Sequence, residues 1–369
     1  MPSSDLIAGG AGAAATAAAS PACAAQLHVV ICCCGTRGDT QPFAALGLHL
    51  QRRRGHRVTL ATEARMEAFV RGLGLGWARI LGDVTGILLK PGSAEQFGEN
   101  TFFSLPAVIK EYEERLLREE GYGREGIWHS YEAALADANV VVSGSFCALP
   151  SFCVAEKLGV PWLPMLLDPA ALPLVRTTAF PMHFTAFLGL GLRCLNGWTF
   201  DVAHDTIWAE EAPRLNAWRV SGLGLRPIRD RGGLAGLIPR KHVPIMIACS
   251  TLFCGPRRQR PADYAENWEV GGFVFVPSAE ETGVAVDARL ASFLERAVVD
   301  NVPVFYLGFG SMPASPSVLV GLAVDVCARL KSRAVIVAGW SEIDTAAAVG
   351  NDALLIVKDA PHDWQVATI

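Results

Sequence analysis

Leu27-His28-Val29-Val30-Ile31-Cys32-Cys33-Cys34-Gly35-Thr36-Arg37-Gly38-Asp39-Thr40-Gln41-Pro42 joins an unbroken apolar run to the opening of an amphipathic one, and its reading decides the fold. Residues 27–34 show no polar alternation, which predicts a central parallel strand buried on both faces. Beyond the glycine loop, Pro42 suits a first helical position. Phe43, Leu46, Gly47 and Leu50 then recur on one face at three- and four-residue spacing, and Gly55 closes the pattern. That spacing predicts a helix over 42–54. Strand, loop and helix make half of a βαβ unit. Residues 35–42 therefore lie outside the carboxyl end of a strand, where open α/β sheets bind their ligands.

Working outward, strands are expected at 56–61 and 76–81 and a helix at 63–72, an alternation that implies a parallel, doubly wound sheet. Residues 105–138 carry charged helical patterns such as Lys110-Glu111-Tyr112-Glu113-Glu114-Arg115, the mark of a solvated helix face. A second copy of the motif follows: strand 303–307, Gly308-Phe309-Gly310-Ser311, helix 315–330 and strand 333–338. The chain divides accordingly into an Ala/Gly-rich tail over 1–26, a first lobe over 27–276, a polar linker over 277–286 and a second lobe over 287–369. The tail has too little side chain to bury and is expected to be disordered.

Composition narrows the function. With 369 residues, 51 % of them hydrophobic, the chain can build two α/β cores. A net charge of −4 gives no reason to expect nucleic acid as a partner. No run of eighteen strongly apolar residues suggests a spanning helix. The ten cysteines show no metal-like spacing, so they are expected as small core residues in a reducing compartment, with no metal bound and a cytoplasmic location.

At the helix entrance, Asp39 and Arg37 admit two readings. Side-chain oxygens of Asp39 and Thr40 could cap the helix, since orphan backbone donors there need acceptors. Capping does not explain Arg37, and Asp39 sits at the strand's carboxyl end, where open α/β sheets usually place their chemistry. A dinucleotide site is a rival, but it calls for G-x-G-x-x-G, and the loop offers only Gly35-x-x-Gly38, with Glu63 as the ribose acid. His56 follows Gly55 at a strand start and reads as structural; His49 sits on the helix, outside the loop.

The run GTRGDTQPFAALGLHLQRRRGHRVTLAT, residues 35–62, resembles the opening of family-28-type glycosyltransferases, above all the sterol 3-beta-glucosyltransferases. Three later segments fit that family in order: Val141-Val142-Ser143 with Ala155-Glu156-Lys157-Leu158-Gly159-Val160-Pro161, then Val304 to Met312, then Asp359-Ala360-Pro361-His362-Asp363-Trp364. The resemblance implies a GT-B type α/β fold, two Rossmann-like doubly wound lobes. Family members continue from Pro-His-Asp-Trp into a glycine loop that holds the diphosphate and an Asp-Gln pair that holds the sugar. Neither is in this sequence, so the second lobe is expected to be incomplete.

The resemblance further implies an inverting hexosyltransferase with Asp39 as general base and a nucleotide sugar such as UDP-glucose as co-substrate, without other cofactor or metal. It places Thr36, Arg37, Gly38, Gly310, Ser311, Ala360 and His362 against the donor. From Trp162 to Phe200 the sequence turns proline-punctuated, aromatic and leucine-rich, at the family's acceptor pocket. Met165, Phe180, Phe184 and Trp198 are the expected wall for a lipophilic acceptor. A monomer is the expected state, with a peripheral membrane contact as an accessory expectation. A second function is compatible with the sequence: a catalytically incomplete remnant that binds a lipid acceptor and holds no donor.

Overall fold

The computed structural model describes residues 25–83, 85–86, 105–123, 125–167, 196–254, 264–276, 287–311, 314–339, 341, 343–344, 348, 350–358 and 360, with the backbone alone at 105–110, 196–197 and 253–254. Residues 1–24 of the expected tail and the whole expected linker lie outside this set.

The first lobe is built on strands β1 (His28–Cys32), β2 (Arg57–Thr62), β3 (Gly76–Arg79), β4 (Val140–Ser143), β5 (Trp162–Leu166), β6 (Ile245–Ile247) and β7 (Trp268–Val270). They form one sheet in the order β3-β2-β1-β4-β5-β6-β7, every neighbouring pair parallel. Chain order reverses across β1, whose His28 pairs with Arg57 on one side and whose Val29 pairs with Val140 on the other. The gap between β1 and β4 is thus the topological switch point, where doubly wound sheets open a crevice.

Helices α1 (Arg37–Arg54), α2 (Glu67–Gly72), α3 (Leu105–Glu119), α4 (Gly126–Leu135), α5 (Ala148–Leu158), α6 (Asn196–Ser221) and α7 (Leu234–Arg240) accompany this sheet. Alternate residues of β1 serve two cores, as a strand with period 2 between helical layers must. Val29, Ile31 and Cys33 pack with Phe43 and Leu48 of α1, Val58, Leu60 and Val70. Val30, Cys32 and Cys34 pack on the other face with Tyr131 and Leu135 of α4 and Phe152 of α5. Burial of the Phe43 ring contributes about 2–3 kcal/mol and fixes α1 over the sheet.

The expected start of the first helix is corrected. α1 begins at Arg37 rather than 42, and the loop collapses to residues 33–36. Thr36 and Asp39 close a reciprocal capping box there, and Thr40 N–H reaches the Thr36 carbonyl at 3.1 Å. Pro42 consequently sits inside the helix. It has no N–H to return to the carbonyl of Gly38, which is released from the helical ladder. The helix expected over 63–72 opens as a 3₁₀ turn, Ala64–Met66, before α2.

The second lobe carries β8 (Val304–Gly308), β9 (Arg333–Val337) and β10 (Leu354–Val357), parallel in the order β10-β9-β8. α8 (Ala288–Val299) packs Leu290, Phe293 and Leu294 on one face against Val335, Val337 and Val357. α9 (Pro316–Leu330) packs Leu319 and Ala323 against Ala334 and Ile336 on the other. Among the described residues no helix is long and apolar enough to cross a membrane.

Candidate active site

Two chain segments meet at the switch point. Gly144 N–H donates to the Cys32 carbonyl at 2.9 Å, tying the end of β4 to the end of β1. Directly above, the half-buried Asp39 turns its carboxylate back toward the loop. Its Oδ2 accepts from Thr36 N–H at 2.7 Å and from the Thr36 hydroxyl at 2.8 Å. Among the described residues Oδ1 takes no hydrogen bond and neither oxygen joins an ion pair. The carboxylate is held by one oxygen and offers the other, an arrangement in which capping and proton acceptance coexist.

Gly35 makes room for it. This residue has φ +125°, and a Cβ there would stand 2.5 Å from Asp39 Oδ2 and 2.8 Å from its Cγ. Both the backbone region and the space reserve the position for glycine.

Arg37 lies exposed on the first turn, its guanidinium 5.1 Å from the centre of the Phe69 ring and its Nε donating to Gln41 Oε1 at 3.3 Å. Gly38 is exposed beside it. Thr36, Arg37, Gly38 and Asp39 are therefore brought together on one helix entrance. Glu63, the rival ribose acid, is 1 % exposed, and Arg65 donates to its Oε2 at 3.0 Å from Nη2 and 3.3 Å from Nε. That carboxylate is closed to a ribose. His56 accepts Leu27 N–H at 3.4 Å through Nδ1, the structural role expected of it.

Beneath the loop lies a bed of thiols. Burial pushes the thiols of Cys32, Cys33 and Cys147 up, and the bond with Cys147 together with burial does the same for Cys34. These groups stay protonated and serve as packing, not as nucleophiles. Among the described residues no three His, Cys, Asp or Glu side chains gather as a metal site.

The other expected residues separate. Met165 is a correction to the acceptor wall: it sits inside β5 at 0 % exposure, packed in the core with Ile31 and Phe43, because the sheet's alternation points it into the α1 layer. Trp198, on the first turn of α6, is 54 % exposed. Phe180, Phe184 and His362 lie outside the described residues. Two apolar side chains escaped the sequence reading: Phe146, 61 % exposed, and Leu252 stand on 3₁₀ turns just beyond the carboxyl ends of β4 and β6. The signal was present as Ser143-Gly144-Ser145-Phe146, a small-residue turn leaving an apolar strand.

In the second lobe, Gly310 and Ser311 follow the carboxyl end of β8, and Ala360 follows β10, packed against the α8 core cluster. Gly339, just past β9, has φ +55° and approaches the Gly310 carbonyl so closely that a Cβ would overlap it. The Gly339 N–H donates to the Lys358 carbonyl at 3.0 Å, and Ala314 N–H reaches Ser341 Oγ at 3.1 Å. Three strand ends thus converge in a glycine-lined cluster of turns, in which the Gly339 and Ala314 amides are engaged within the lobe. Gly339 was missed because a lone glycine after a strand is common.

Residues 29–165 match the family model described as Glycosyltransferase family 28 N-terminal domain. That segment spans β1 to β5 and carries the Asp39 loop. The chain is 27 % identical over 344 residues to a sterol 3-beta-glucosyltransferase of Aspergillus terreus, with 91 % of this chain and 22 % of that protein covered. A sterol 3-beta-glucosyltransferase of Pichia angusta is 27 % identical over 337 residues, covering 89 % and 25 %. The chain spans about a quarter of the length of these curated relatives. Among solved structures, the glycotransferase of kitacinnamycin superposes with a TM-score of 0.55 at 17 % identity, covering 93 % of this chain and 73 % of that one. A UDP-glucosyltransferase from Polygonum tinctorium gives 0.50 at 16 %, covering 92 % and 73 %. The fold is of the GT-B type.

Proposed function

We propose that this chain, whose residues 29–165 match the family-28 N-terminal domain, supplies the acceptor lobe, the general base and part of the donor lobe of an inverting glycosyltransferase. It would move a hexose, glucose in the first instance, from a UDP-sugar to the hydroxyl of a lipophilic acceptor of the sterol class. The observation that carries the reading is the carboxylate of Asp39, anchored through Oδ2 and open at Oδ1 on the carboxyl edge of the sheet.

In the reaction, Oδ1 takes the proton as the acceptor oxygen forms its bond to the anomeric carbon. The bond from that carbon to the phosphate oxygen breaks, and UDP departs with the electron pair. Amides of residues 308–311 suit the developing diphosphate charge. Arg37 and Thr36, and Ala360 with His362, are carried over as donor contacts from the family resemblance. Exposed Phe146, Leu252 and Trp198 supply apolar surface for a lipophilic acceptor. General-base assistance is worth roughly 10²–10⁴-fold. The expected outcome with radiolabelled UDP-glucose and a sterol in micelles is a sterol glucoside, formed slower by that factor in Asp39→Asn. Equal rates in the two proteins would remove Asp39 from the mechanism. Calorimetric silence toward UDP-glucose, with acceptor binding retained, would reduce the chain to an acceptor-binding lobe.

A further inference from the structure

A second cleft, of about 630 Å³, opens in the first lobe far from Asp39. Its walls come from the last turn of α5, the last turn of α6, the loop of residues 222–233 and the end of α7. α5 leads into β5 and α7 into β6, so the cleft lies at the amino edge of the sheet. Asp39 stands at the opposite, carboxyl edge.

Five cationic side chains and two carboxylates line it. Three of the cations have work inside the fold. Arg219, 3 % exposed, donates to Glu156 Oε2 at 2.6 Å, to Cys153 Sγ at 3.0 Å and to the Arg226 carbonyl at 3.1 and 3.0 Å. Lys241 donates to Glu156 Oε1 at 2.7 Å, and Arg240 grips Asp230 at 2.5 and 2.9 Å. These three stand at helix carboxyl ends, where positive charge also offsets the macrodipole. Both carboxylates are thereby used up.

Arg226 and Arg229 remain. Among the described residues neither guanidinium has a carboxylate partner, yet their loop is clamped. The Arg226 carbonyl is held by Arg219, and Ile228 is gripped by Asn216 at both its N–H (2.8 Å) and its carbonyl (3.1 Å). Pro227 fixes φ between them. Two arginines three residues apart on a pinned backbone are pre-organised forks, a geometry that matches phosphate oxygens bidentately.

We propose that this cleft is a binding site for a phosphate-bearing anion, held by Arg226 and Arg229 and separate from the glycosyl-transfer centre. The anion is either a phospholipid headgroup or a soluble phosphate compound.

The full chain is titrated with inorganic pyrophosphate by calorimetry and, in parallel, sedimented with phosphatidylcholine vesicles with and without phosphatidic acid. Arg226→Gln/Arg229→Gln is compared with Arg52→Gln/Arg53→Gln, which removes the same charge from the exposed end of α1. Loss of two charge-assisted contacts is expected to weaken binding about tenfold or more in the cleft variant and to leave the α1 variant unaltered. A loss confined to vesicles assigns a headgroup; a loss in the pyrophosphate arm assigns a soluble ligand. Because both side chains are exposed, the cleft variant should melt with the wild type, which separates loss of binding from loss of fold. No binding in either arm, or equal weakening in both variants, overturns the site.

Discussion

Gly35→Ala tests whether the Asp39 carboxylate is held where its hydrogen bonds place it. The substitution meets two costs. An L-residue at φ +125° occupies a sparsely allowed region, at about 1–3 kcal/mol. The new Cβ would also stand 2.5, 2.8 and 2.9 Å from Oδ2, Cγ and Cβ of Asp39, so relief requires that side chain to swing away. Swinging breaks the two bonds to Thr36 and forfeits a helix cap, about 1 kcal/mol. The combined loss of roughly 2–4 kcal/mol corresponds to a fall in Tm of roughly 5–15 °C for a lobe of about 150–250 residues. Gly55→Ala is the reference, because its φ is +70° with nothing within 4 Å, leaving only the left-handed backbone cost of about 1–2 kcal/mol. Thermal melts of Gly35→Ala, Asp39→Ala and the double variant close a cycle. The double variant should lose less than the sum by about 1 kcal/mol, since the cap is forfeited once. Additive losses, or a Gly35→Ala protein that melts with the wild type, would refute the packing of Asp39 on Gly35.

Arg219→Met leaves Glu156 with Lys241 alone and strips the Arg226 carbonyl of its donor; denaturant melts should show a loss of about 3–5 kcal/mol. Burial alone would raise the carboxyl of Glu156, but hydrogen bonds from Lys241 and Arg219 outweigh it and hold the group below its ordinary 4.5. Its stabilising contribution is therefore complete above that value and drains away as pH falls through the depressed one, so Glu156→Gln should flatten the acid limb of a stability profile. Cys33, Cys34 and Cys147 should resist iodoacetamide in the native protein at mildly alkaline pH and react once denaturant is added, as read by peptide mass mapping; rapid native labelling would contradict their burial and raised thiols.

Local chemistry made much of this protein legible. The apolar run before Gly35, the three-and-four spacing after it and the repeat of strand, glycine and helix after residue 303 are short-range signals, and they located a parallel α/β architecture in two lobes. Thr36-Arg37-Gly38-Asp39 could be placed at a strand's carboxyl end because a βαβ unit leaves that segment nowhere else to go. Pro42 misled, since proline is welcome at a first helical position, while the Thr36–Asp39 capping box began the helix a turn and a half earlier.

Tertiary structure decided what depends on partners distant in sequence. That β4, not β3, flanks β1 and opens the crevice follows from pairing across more than a hundred residues. Met165 and the exposed Trp198 share an apolar, aromatic segment, and only sheet alternation and helix placement sorted one into the core and the other to the surface. Gly339 acquires meaning through its approach to Gly310, and Arg226 and Arg229 through the exhaustion of Glu156 and Asp230 by other cations. Sequence sets the period and the turn chemistry because these act over a few bonds. Which oxygen of a carboxylate is engaged, and which charge is left over, is fixed only when the chain has closed on itself.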